Sequence, residues 1–168
     1  MAFENDDYTT DEPALAPSKP AGSPFAALRA EREAASKEVV IDLRVPRYAT
    51  PVFVRYRAPE KARITAITDA AQKKRDKSVT PEAVLLAEYC VGVFEKDSDG
   101  NPIGDPADWP RFDERLAEYL GVDSETKSAA DVVRKLFTTE GDIIKHATEL
   151  ISWAGFNAGD VDELYSEK

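Results

Sequence analysis

The chain has 168 residues and 18.5 kDa, with 42% hydrophobic and 32% charged residues and a mean hydropathy of -0.45, enough for one domain-sized core and without any membrane-like excess. Lys and Arg number 22 against 32 Asp and Glu, a net charge of -10, which is the wrong sign for a whole-surface nucleic-acid or anionic-membrane binder. One cysteine, Cys90, and one histidine, His146, exclude an internal disulfide and a His-rich metal centre.

Residues 1–24 carry Glu4, Asp6, Asp7, Asp11 and Glu12 against Lys19, with four prolines and almost no paired apolar side chains. Such a segment cannot offset its ordering entropy by burial, so disorder is expected there. It has neither the basic start nor the apolar run of a signal peptide, which predicts a cytoplasmic protein. Residues 159–168 read as an acidic tail, holding Asp160, Asp162, Glu163 and Glu167 against Lys168. The ends thus contribute -4 and -3 of the total of -10, and the body, residues 25–158, is close to charge-balanced and reads as one mainly helical domain.

Ser23 before Pro24 has the order of an N-cap and first-turn proline, and an Ala-rich helix is predicted after it. Val39, Ile41, Leu43 and Val45 then alternate with Val40, Asp42 and Arg44, and Val52, Val54 and Tyr56 with Phe53, Arg55 and Arg57. This alternation predicts an antiparallel strand pair at about residues 38–57, joined through Pro46 to Pro51. Two strands alone are marginal in water, so the pair must rest on helices or gain strands, within the chain or from a second copy.

From Pro59 the period becomes helical, with Ile64, Ile67, Thr68 and Ala71 on one face and a basic run of Lys73, Lys74, Arg75 and Lys77 at the end. Thr80, Pro81 and Glu82 restart a helix that Val84, Leu85, Leu86, Ala87, Tyr89, Cys90, Val91 and Val93 make apolar on nearly every side, as expected of a core helix. Glu95 to Pro110 is a loop anchored by Trp109, and Phe112, Leu116, Tyr119 and Leu120 form a short amphipathic helix stopped by Gly121. Ser128 with Asp131 caps a helix bearing Val132, Val133, Leu136 and Phe137; after Thr138 and Thr139, Ile143, Ile144, Ala147, Leu150, Ile151 and Ala154 keep one stripe up to Gly155. The last two segments form a helical hairpin, and the fold class is mainly α with a small antiparallel strand pair.

Candidate chemistry is sparse. Asp97, Asp99 and Gly100 have the opening of a calcium loop, but Pro106 stands where the bidentate Glu is required, so the segment reads as a turn. His146 flanks its helix near Asp142 and Glu149, a set that could serve an acid–base enzyme, or it is a boundary histidine beside Trp153. Cys90 lacks basic neighbours to stabilise a thiolate and reads as core. The cations of residues 55–77 could grip phosphate or an acidic partner, but with only Tyr56 for stacking they favour helix-terminal charge compensation over nucleic-acid binding. No phosphate-cradling glycine motif is present, and no cofactor or metal is expected.

The order of parts, with the strand pair VVIDLRVPRYATPVFVRYRAP, a helical middle and the hairpin DVVRKLFTTEGDIIKHATELISWAGF, resembles the tail assembly chaperones of long-tailed bacteriophages over roughly residues 38–157. The resemblance implies a non-enzymatic factor in the infected bacterium that is absent from the finished virion. It would coat and solubilise the tape measure protein and help tail tube subunits polymerise, the tube protein being recruited by a longer frameshift product of which this chain would be the shorter form. Amphipathic helices dock through apolar anchors, so Val132, Leu136, Phe137, Trp153 and Phe156 are the candidate partner-binding residues, core packing being the alternative for each. A head-to-tail connector or scaffold is the second reading and an enzyme using His146 the third. An open strand edge would also invite homo-oligomerisation.

Overall fold

The computed structural model describes residues 24–74 and 81–156. The expected disorder of the N-terminal segment, the Ser23 cap, Arg75 and Lys77 of the basic run, Thr80 and the acidic tail fall outside these residues. The chain divides into two units with the boundary after Val39. The described part of the first is helix α1 (Pro24–Glu38), in which Ser36 Oγ donates to the Arg32 carbonyl at 2.9 Å.

The second unit begins with the expected strand pair. Strand β1 (Val40–Arg44) runs antiparallel to β2 (Val52–Arg57), with Leu43 opposite Val54 and Asp42 opposite Arg55. Alternation sends Leu43, Val54 and Tyr56 into the core and Asp42, Phe53 and Arg55 to the other face. In the connection, Arg47 adopts φ 78°, a left-handed conformation disfavoured by its Cβ. Its guanidinium is ion-paired with Asp142, and the neighbouring Tyr48 hydroxyl donates to the Leu136 carbonyl. The turn is thereby tied to the C-terminal hairpin.

Helices α2 (Lys61–Lys74) and α3 (Pro81–Tyr89) follow. The long core helix expected through Val93 is instead cut at Tyr89, and Cys90–Glu95 form a third strand, β3, antiparallel to β2 in a sheet of order β1-β2-β3. A continuous apolar run is compatible with either state, and two features favour strand here. Val91 and Val93 are β-branched, and Gly92 lies under Trp109, where an added Cβ would be 2.7 Å from the Trp109 Cβ. The strand pair therefore gains a third strand within the chain, and among the described residues β1 has no strand on its outer side.

A turn at Asp97–Asn101 follows, with Asp97 Oδ1 accepting from the Asp99 and Asn101 amides, both at 2.9 Å. Helix α4 (Glu114–Leu120) is capped by Asp113 and ends at Gly121, whose φ of 74° suits a residue without a Cβ. Helices α5 (Ala129–Leu136) and α6 (Glu140–Trp153) make the expected hairpin, capped by Ser128 and Thr139 through the Asp131 and Asp142 amides. Both pack on α3, so that Leu85, Leu86, Val133, Leu136, Phe137, Leu150 and Ile151 form the fully buried centre together with Val54 and Tyr56 from the sheet. Helices thus cover one face of the sheet. None of them is long and apolar enough to cross a membrane.

Candidate functional site

Chemistry would centre on the only histidine. His146 points inward from α6, 4% exposed, with its ring edge-on to Tyr56 and Phe137 at centroid distances of 5.4 and 4.8 Å. It therefore packs on these two rings, deeper than a boundary position beside Trp153. Burial pushes its pKa down to about 4, so the imidazole is neutral near pH 7. Nε2 has no hydrogen-bond partner. Asp142 is occupied by the Arg47 guanidinium and by the Thr139 cap, which hold its carboxyl below the usual range. A cavity of about 360 Å³ lies beside the histidine between β1 and α6, bordered by Asp42, Arg44, Lys145 and Glu149. The nucleophile and aligned base of a hydrolytic site are not assembled there among the described residues. Cys90 is 3% exposed and its thiol pKa is raised by burial to about 12, the state of a core thiol. Among the described residues no group of three or more His, Cys, Asp or Glu side chains is placed to hold a metal ion.

The outer face of the sheet is built differently from what the sequence suggests. Phe94 stacks on Trp109 at 4.0 Å and on Phe53 at 6.0 Å, and the Arg55 guanidinium lies 5.5 Å from the Phe94 ring and 5.1 Å from that of Trp109. Arg55 Nε donates to Asp42 Oδ1 at 2.7 Å and Nη2 to Oδ2 at 2.9 Å, while Lys96 sits 4.2 Å over Phe53. Aromatics do interleave with the cations here, through Phe53, Phe94 and Trp109, whereas Tyr56 faces the core. The alternation at Phe53 is visible in the sequence, but its meeting with Trp109 requires β3. Phe94 and Trp109 are buried and Arg55 is already paired, so the cluster holds the 96–110 loop against the sheet.

The larger concavity, about 450 Å³, opens between the ends of β2 and β3, the loop after β3, and α4. Its lining is apolar, with Val52, Phe94, Ile103, Pro110, Leu120 and Leu136 among the residues that form it. At its border Tyr119 is 70% exposed and Ile103 51% exposed. The loop is fixed in place by Trp109 Nε1, which donates to the Ile103 carbonyl at 3.0 Å, and by the Ile103 amide, which donates to Glu95 at 2.8 Å. This is a preformed open groove able to receive apolar side chains.

The five residues expected to bind a partner do not form one surface. Val132, Leu136 and Phe137 are 3%, 2% and 2% exposed, because the apolar faces of α5 and α6 are satisfied by α3. Phe156 is half-buried against the same core, and Trp153 is 36% exposed at the end of α6. Leu136 alone of the five contributes to the groove wall. Tyr119 and Ile103, the exposed apolar residues at the groove, were expected as helix face and loop. Nothing in their local sequence marks them as an interface, since α4 and the loop converge only through the fold.

Compared with known family models, curated proteins and solved structures, the chain matches none of them.

Proposed function

We propose that this chain is a non-catalytic assembly chaperone of the phage tail type, which coats and solubilises a long helical tape measure protein and promotes assembly of the tail tube. The observation that carries the reading is the open apolar groove with Ile103 and Tyr119 at its border, joined to the layout resemblance over residues 38–157. A helix-in-groove contact needs a rigid apolar trough that accepts side chains spaced three and four apart on a partner helix. An amphipathic helix of the tape measure protein has that pattern, and the chaperone's acidic end segments, -4 and -3 in charge, would keep the complex in solution. Val132 and Phe137 act in this reading by setting the hairpin under the groove, and the partner contacts Tyr119 and Ile103 directly. The tail tube protein would be engaged through a longer frameshifted product. The site of action is the cytoplasm of the infected bacterium, with no place in the mature virion.

The test is co-expression with the longest helical protein encoded beside this chain, followed by size-exclusion chromatography with light scattering. Several copies bound to one otherwise insoluble partner are expected, and Tyr119→Glu with Ile103→Glu should abolish the complex while circular dichroism stays unchanged. A partner that remains insoluble while this chain runs alone as a closed ring refutes the proposal and favours a head-to-tail connector.

A further inference from the structure

Strand β1 is the open edge of the sheet, and its backbone alternation is fixed by its pairing with β2. The Val45 amide donates to the Val52 carbonyl at 2.9 Å, and Leu43 and Ile41 stand opposite Val54 and Tyr56. In an antiparallel ladder bonded and non-bonded residues alternate, so the peptide groups of Val40, Asp42 and Arg44 point away from β2. Beside them the cavity of about 360 Å³ separates β1 from α6. An added strand lies about 4.8 Å from its neighbour, and the cavity beside β1 is bordered by Asp42 and Arg44 on the strand and by Lys145 and Glu149 on α6.

We infer that β1 pairs with β1 of a second copy of this chain, about a two-fold axis through Leu43, to make a continuous six-stranded sheet. The register follows from two constraints. Outward peptide groups must meet outward peptide groups, so Asp42 can face Val40, Asp42 or Arg44 of the copy, but not Leu43, and facing Val40 it would gain no opposite charge. Asp42 against Asp42 sets like charges directly opposite, as does Arg44 against Arg44, and both are unfavourable. With Leu43 against Leu43, each Asp42 faces the Arg44 of the other copy, giving two opposite-charge pairs related by the axis. The same register places Ile41, which is half-buried, against Val45. Arg44 is available for this pairing, being exposed with a single long contact of 3.4 Å to the Tyr48 carbonyl. Asp42 keeps Arg55 at 2.7 Å and Lys96 at 3.9 Å within its own sheet, so each cross-copy Arg44 joins an existing cluster of charges.

The experiment uses the full chain. Light scattering over a dilution series is expected to show two copies that dissociate on dilution, and hydrogen exchange should find the Asp42 and Arg44 amides protected in the two-copy state. Arg44→Glu turns both cross-copy pairs repulsive and should weaken association by at least about tenfold. Arg44→Pro removes an outward N–H while sparing the bonds to β2, and should do the same without adding negative charge. Circular dichroism should be unchanged in both. A chain that stays single at every concentration overturns the inference. So do two copies that persist in both variants, or rapid exchange of the Asp42 and Arg44 amides when two copies are present.

Discussion

Acid should unfold this protein through His146 in a pH range where carboxylates are still ionised. The imidazole titrates at about 4 when folded against 6.5 when free, so between those values the unfolded chain binds the proton and the folded chain does not. Stability is then full above pH 6.5 and is lost as the pH falls toward 4. Linkage gives a loss of about 2 kcal/mol at pH 5 and about 3 kcal/mol at pH 4, from 1.36 kcal/mol for each unit of difference. Other groups contribute with their own signs. Glu82, whose carboxyl is raised chiefly by burial, gains on acidification, whereas Glu88, Asp131 and Asp142, held low by Arg63, by the Lys127 amide and by Arg47, lose stability only as the pH drops into the carboxylate range. These are common to wild type and His146→Gln, so the difference between the two isolates the histidine. Urea unfolding at pH 7.5 and pH 5 should show the wild type losing about 2 kcal/mol more than His146→Gln, roughly 1 M in midpoint at ordinary m-values. Equal losses in the two proteins would refute the buried neutral imidazole.

Gly92→Ala should destabilise by about 1–3 kcal/mol in chemical denaturation, because the new Cβ meets the Trp109 Cβ at 2.7 Å and the stacked rings must shift. Trp109 fluorescence should move with it, and an unchanged midpoint counts against close packing on the outer sheet face. Phe137→Ala should cost about 3–5 kcal/mol by opening a cavity beneath His146. Trp153→Ala, in contrast, removes a partly exposed ring and should cost far less in the same chemical denaturation.

The elements that could be read from sequence are those whose signals are local. Alternation marked β1 and β2, Ser128 and Gly121 marked helix ends, and the stripe from Ile143 to Ile151 marked α6. Strand β3 was hidden because the run from Val84 to Val93 is apolar all round, and the periodicity that separates helix from strand is absent there. Of the two features that favour strand after Tyr89, one is a tertiary contact, Trp109 on Gly92, from a residue beyond the strand itself. The candidate surfaces were less legible still. The groove draws on β2, β3, the loop, α4 and α5, so no window of sequence contains it. His146 showed the converse: its helical position suggested a flank, but Tyr56 and Phe137 enclose it from other elements. Of the hairpin's apolar anchors, Val132, Leu136 and Phe137 are buried in the core, where the hairpin packs on α3, while Trp153 stays partly exposed.

The order β1-β2-β3 also has a consequence for synthesis. The β1–β2 hairpin is complete once Arg57 has left the ribosome, but its third strand waits until Glu95 has followed, several seconds later at about 5–20 residues/s. A lone two-stranded hairpin is marginal in water. Until β3 arrives the second edge of β2 is exposed together with that of β1, and Val54 and Tyr56 wait longer still for the helices that bury them. Nascent chains on one polysome carry these edges close together, and the interval before β3 arrives is when mispairing between them competes with folding.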